Sequence, residues 1–98
     1  MDWQPVRDCP GVSARPLWRD SRLVSTLVAY RPQAGTPGGP HPVDQYIWVL
    51  SGSALIAGRW LPAGSCVHVP AGIAHPIVGT GPSGCVLMQT YAALRIDR

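Results

Sequence analysis

Eleven glycines and eleven prolines punctuate this chain of 98 residues, spaced at near-regular intervals. Between them no window of about 11 residues keeps a 3.6-residue apolar period, so a helical architecture has nowhere to form. What remains is a run of short β-branched and aromatic segments. They predict strands at residues 23–30, 45–50, 54–57, 65–69, 76–78 and 85–91. Breakers lie at 32–40, 51–53, 62–64, 70–72 and 79–84. The tail, 92–98, reads as a short helical turn or an edge strand. No internal repeat is present. Short strands parted by turns indicate an all-β domain, a small antiparallel β-barrel or sandwich. The segment 33–42, Q-A-G-T-P-G-G-P-H-P, resembles a linker, but it ends on a histidine and feeds a strand. It is read as a loop at the edge of a site.

A chain of this length makes one domain (residues 1–98, with the barrel at about 21–91), near the lower end of what folds alone. Hydrophobic residues are 46% and charged ones only 13%, which predicts a homodimer that covers an apolar face. The net charge of +3 rests on eight arginines and no lysine. Those arginines are scattered, without the clustered aromatics of a nucleic-acid footprint, so no nucleic-acid partner is expected. Glutamate, asparagine and phenylalanine are also missing. A glutamate base and a lysine Schiff base are thereby excluded. The three cysteines, Cys9, Cys66 and Cys85, form no C-x-x-C pair. They predict buried free thiols in a reducing compartment, not a disulfide framework or a zinc knuckle. The opening M-D-W-Q-P-V-R-D has no apolar core of a secretory signal, and no apolar run nears the roughly 18 residues of a membrane span. A cytoplasmic protein without membrane contact is expected.

One stretch carries chemistry. From Gly64 to His75 the chain reads G-S-C-V-H-V-P-A-G-I-A-H. A glycine turn opens a short strand, Pro70 and Gly72 make a second turn, and His75 follows. The spacing G-x5-P-x-G-x2-H resembles the second signature of the cupin family at each fixed position up to the histidine. Upstream, H-P-V-D-Q-Y-I-W-V-L-S-G, from His41 to Gly52, resembles the first signature, G-x5-H-x-H-x3-E-x6-G, with substitutions. The gap to Gly52 puts Gln45 at the family's glutamate and His41 at its second histidine. Gly39 replaces the first histidine, Gln33 the opening glycine, and Gly79 the closing asparagine. The resemblance implies a small single-domain jelly roll of the RmlC-like type, with His75 as a metal ligand.

Strand geometry supports a site independently. If Gln45 points inward, Ile47 and Val49 do too, while Tyr46, Trp48 and Leu50 point outward. Antiparallel pairing then brings His41, Gln45 and His75 together, within about 4–5 Å. Two imidazoles and an amide oxygen suit a divalent ion, Fe, Ni, Mn or Zn, with positions left for water or substrate. A neutral amide in place of a carboxylate weakens affinity and leaves the ion more electrophilic. That favours Lewis-acid chemistry over high-valent iron.

Each residue also has a plainer reading. His75 ligates or is a turn histidine bonded to backbone; the spacing favours the ligand. His41 ligates or is a loop histidine. Gln45 ligates or satisfies buried polar groups. His68 shares parity with Cys66; facing inward it is a proton shuttle, facing outward it is surface. Asp44 reads as a solvated charge. Tyr30, Tyr91 and Gln89 line the cavity or pack the core and rim, and the two tyrosines are the further catalytic candidates. Tyr46 and Trp48 pack the sheet or a dimer contact, and Trp3, Trp18 and Trp60 fill core or interface. The expected function is a metal-dependent enzyme on a small carbonyl- or hydroxyl-bearing substrate. Isomerisation, cyclisation, dehydration and lyase chemistry fit, or dioxygenation with Fe(II). A non-catalytic metal- or small-molecule-sensing module and a metal-free cyclase are the alternatives.

Overall fold

The computed structural model describes residues 2–93. All regular structure in it is strand: β1 (Gln4–Pro5), β2 (Val12–Arg19), β3 (Leu23–Tyr30), β4 (Gly35–Thr36), β5 (Gln45–Ile56), β6 (Arg59–Pro62), β7 (Cys66–Val69) and β8 (Ile77–Ala92). Every pairing is antiparallel, in the order β1-β2-β3-β8-β5-β6, with β4 on β8 and β7 on β5. Among the described residues no helix is long and apolar enough to cross a membrane.

Alternation decides what the sheet buries. Gln45, Ile47 and Val49 of β5 are buried, Tyr46 and Leu50 are exposed, and Trp48 is half-buried. The same face takes Val24, Val28 and Tyr30 from β3, Cys85 and Leu87 from β8, and Val12 from β2. All of these buried side chains but Val24 and Gln45 belong to one packed apolar core.

The strand at 23–30 has the expected bounds, and that at 65–69 begins one residue later. Two expected breaks are absent. Ser51–Ser53 lies inside β5, and 79–84 lies inside β8. In β5, Val49 pairs with Leu87 and Ser51 with Val86, so Leu50 is a bulge residue. The extra residue moves the inward set from odd positions (Gln45, Ile47, Val49) to even ones (Ala54, Ile56), so both halves of the strand still feed one core. In β8, Thr80 pairs with Ser53 and Cys85 with Gly52, so 81–84 loops out of the ladder. Gly84 closes that excursion at φ 69°, where an added Cβ would collide with the Tyr30 carbonyl; only glycine fits. Ser, Gly and Pro at these places signal irregularities within strands instead of strand ends.

Strand β2 and the short β1, β4 and β6 were not expected. In β2 the charges, Pro16 and the exposed apolar Leu17 and Trp18 hide the alternation. The sheet therefore takes in residues 4–19, N-terminal to the expected barrel. Ala92 belongs to β8, and 94–98 lies outside the described residues. Of the two places expected for Trp3, Trp18 and Trp60, core or interface, the core is ruled out: they are 40%, 57% and 59% exposed. The expectation of buried thiols holds in part. Of the three thiols, Cys85 is buried, Cys9 half-buried and Cys66 exposed, and all are free.

Candidate functional site

His41, Gln45 and His75 come from three separate pieces of chain. Gln45 opens β5 on the inner face and is buried, because its neighbours Val69 and Tyr91 pair with it from either side. His41 lies in the loop before β5, and its ring packs on Tyr91 with centroids 4.6 Å apart. His75 follows the Pro70–Gly72 turn and is also buried, 5% exposed.

Backbone bonds fasten these pieces together. The Gly72 N–H donates to the His41 carbonyl at 2.8 Å, and the His75 N–H donates to the Gly38 carbonyl at 2.7 Å. Gly38 has φ 56°, and a Cβ there would overlap the His75 carbonyl, so the close approach needs glycine. A third tie comes from Asp44, whose Oδ1 accepts the Ala71 N–H at 2.8 Å. The loop holding His41 and the turn holding His75 are therefore joined at several points.

The polar atoms of the trio are informative. His75 Nδ1 lies 3.3 Å from the Ile73 carbonyl, a contact that places its proton on Nδ1 and leaves Nε2 with the free lone pair. His41 Nδ1 and Gln45 Oε1 are buried and have no hydrogen-bond partner. Leaving a buried polar atom unpaired costs about 1–3 kcal/mol. Both atoms are donors of the kind that a divalent cation accepts. The donor types present at His41, Gln45 and His75 are thus chemically compatible with a metal ion. Among the described residues no group of three or more His, Cys, Asp or Glu side chains could hold a metal ion, so any such set here has to include the amide.

A cleft of about 420 Å³ opens over this region. Val24, His41 and Tyr91 form its floor and Arg19 and Asp20 its rim. Gln45 and His75 do not line it; both are buried. A larger cleft, about 820 Å³, lies at the far end of β3 and β8, between the N-terminal segment and Tyr30, Arg31 and Cys85. It holds no imidazole. Its Tyr30 hydroxyl is bonded to Thr36 Oγ1 at 3.0 Å, and burial pushes that hydroxyl up to about 12. Tyr30 is thus protonated at neutral pH and is separated from the trio by the length of β3. Size alone favours the larger cleft; the smaller one is lined by a candidate imidazole, His41.

Of the other candidates, Tyr91 is at the site and Tyr30 is not. Gln89 lies on the inner face, opposite Ile47. His68 faces outward, so the inward shuttle does not arise. Its Nε2 is 2.8 Å from Asp44 Oδ2, its ring stacks on Tyr46 at 5.0 Å, and it is exposed. The physical reason is register: Tyr46 pairs with His68, and Tyr46 is on the outer face. Asp44 is exposed as expected, but engaged. The His68 ring nitrogen, then the Ala71 N–H, hold its carboxyl below the usual carboxylate range. The rim residues Arg19 and Asp20 were missed, because only strand pairing places them here.

The sequence matches no known family profile, and no curated protein matches it. Solved structures do resemble it. KdgF from Halomonas sp. is 24% identical, with a TM-score of 0.84 over 97% of this chain and 88% of that one. The polyketide cyclase RemF from Streptomyces resistomycificus is 21% identical, with a TM-score of 0.83 over 98% and 76%. An RmlC-like cupin from Shewanella frigidimarina is 21% identical, with a TM-score of 0.82 over 96% and 85%. The resemblance read in the two histidine-bearing segments and the antiparallel sheet agree with these likenesses: the chain has the jelly-roll fold of the RmlC-like cupins.

Proposed function

We propose that this cupin is a metal-dependent enzyme acting on a small organic substrate that bears a carbonyl or hydroxyl oxygen. One observation carries the reading: two buried donor atoms, His41 Nδ1 and Gln45 Oε1, lack any protein partner beside the buried His75. A divalent ion held there, Fe, Ni, Mn or Zn, supplies Lewis acidity toward a substrate oxygen, suited to isomerisation, cyclisation, dehydration or lyase chemistry. The two neutral imidazoles and the neutral amide offset none of an ion's charge. In this reading Tyr91, whose ring packs on His41 in the same cleft, holds or moves a proton. Val24 gives the cleft a buried apolar lining residue.

The exposed Tyr46 and Leu50, beside the half-buried Leu27, Trp48 and Met88 on the same outer face, support a homodimer. Light scattering that reports 10.5 kDa, the mass of one chain, would remove that part.

The test is metal content and affinity. Purified protein is analysed for metals, stripped, and titrated with Ni(II). His75→Ala and His41→Ala lose binding. Gln45→Glu gains about tenfold or more in affinity, equivalent to about 1.4 kcal/mol, because a carboxylate is the stronger donor. Unchanged metal content in His75→Ala removes the ligand assignment.

A second reading has its own support. Asp20, the one carboxylate on the cleft wall among the described residues, has both oxygens occupied by the Arg22 and Leu23 N–H groups and the Trp18 indole. A cleft without a free carboxylate suits a binding module or a metal-free cyclase. Metal-free protein that still binds or converts its ligand would establish it.

A further inference from the structure

Strand β2 contains one irregularity. Pro16 pairs with Thr26 and Trp18 with Ser25, so Leu17 is an extra residue. Before it, Val12, Ala14 and Pro16 share the inner-face parity. Without the bulge Trp18 would continue that set. With it, Trp18 turns outward and Arg19 falls opposite the buried Val24. Bulges at the rims of barrels re-aim a side chain in this way. The row continues across the sheet: Arg19 pairs with Val24, Val24 with Tyr91, and Tyr91 with Gln45.

Arg19 is the arginine on the wall of the cleft that also holds His41 and Tyr91, and it forms no ion pair with any described carboxylate. Its neighbour Asp20 forms no salt bridge with it, because its oxygens are engaged elsewhere. Asp20 Oδ1 accepts from Arg22 N (2.7 Å) and Leu23 N (2.8 Å), and Oδ2 accepts from Trp18 Nε1 (3.0 Å). Arg19 thus lines the cleft, and among the described residues its guanidinium has no ion-pair or hydrogen-bond acceptor. Three inter-strand steps separate Arg19 from Gln45, about 14 Å between backbones on standard strand spacing. Two long side chains shorten that gap to the span of a small molecule. The cleft volume of about 420 Å³ is also of that class.

We propose that Arg19 determines substrate specificity by binding the carboxylate of an acidic substrate whose other oxygens reach past Tyr91 toward His41. This deepens the enzyme reading and rests on the same cleft being the active site. A single guanidinium beside a fixed carboxylate suits a monoanion. A phosphate, carrying about −1.5 to −2 at neutral pH, calls for more positive charge than the described residues provide there.

The test uses matched probes that differ in charge alone: lactate against lactamide, and salicylate against salicylamide. Each is titrated into the ¹⁵N-labelled full chain in low salt, followed by NMR. At least one acid binds tenfold more tightly than its amide and shifts resonances around Val24, His41 and Tyr91. Arg19→Gln reduces that preference to within twofold without moving the melting temperature. Arg22→Gln, the same charge change off the cleft wall, keeps it. The inference is overturned if neither acid is preferred or bound, if the preference survives in Arg19→Gln, or if Arg22→Gln removes as much. His75→Ala separates the two readings, because it removes metal and leaves the charge preference intact. Loss of the preference in His75→Ala shows instead that the acids bind the ion and overturns the role of Arg19.

Discussion

Replacing Gly38 by alanine tests how the His75 turn is held. Gly38 adopts φ 56°, and its would-be Cβ points into the His75 carbonyl. The adjacent Gly39 has no atom within 4 Å of its would-be Cβ and no positive φ. Alanine at 38 pays a left-handed backbone cost of about 1–2 kcal/mol. It also breaks the 2.7 Å bond from His75 N to Gly38 O. That bond contributes about 1 kcal/mol. The total, about 2–3 kcal/mol, lowers the melting temperature of a domain this size by roughly 10–20 °C. Ni(II) affinity falls in the folded variant as well, because His75 is displaced from His41 and Gln45. The assay is a thermal melt followed by Ni(II) titration at a temperature where the variant is folded, with Gly39→Ala alongside. Equal melting temperatures for the two variants would refute the steric argument. A destabilised Gly38→Ala with unaltered Ni(II) binding would refute the link between that contact and the site.

Three further outcomes are expected. Leu87 is fully buried at the centre of β8, so Leu87→Ala costs about 3 kcal/mol by cavity formation, read as a lower urea midpoint at unchanged slope. The Asp44 carboxyl titrates below its ordinary value of about 3.9, so its contribution is complete above that pH and is lost as pH falls through the lower folded value. Asp44→Asn therefore melts below the parent at pH 7, and the gap closes as pH drops below about 4; a gap that widens in acid contradicts the assignment. Burial pushes the Cys85 thiol up to about 11, whereas Cys66 is exposed. Iodoacetamide at pH 8 should label Cys66 quickly and Cys85 only after unfolding, as mass spectrometry of the peptides would show.

The burial of Gln45 and the turn that carries His75 were legible because their determinants are local. The spacing Gly64, Pro70, Gly72, His75 is a turn-strand-turn unit whose conformation depends on its own residues, and His75 is where that unit delivers it. The inward parity of Gln45, Ile47 and Val49 needs only the two-residue period of a strand. The sidedness of His68 was not legible, since parity within β7 leaves both faces open until Tyr46 is paired with it. The same holds for the tryptophans. A bulky apolar side chain reads as core or interface, and only the fold shows that Trp18 and Trp60 are exposed and not core. The bulge at Leu17 was invisible for a related reason: an added residue leaves no compositional mark, and it shows only as a shift against β3.

The sequence by itself determined an all-strand chain, two histidine-bearing turns, and an amide where an acid would ligate more strongly. These follow from backbone preferences of glycine, proline and β-branched residues, which act over a few positions. Tertiary structure alone decided which strands pair, that Ser51–Ser53 and 81–84 interrupt strands without ending them, and that Arg19 and Tyr91 share a row with Gln45. Register sets all three, and register is a contest among distant segments for one buried face, which no local pattern can resolve.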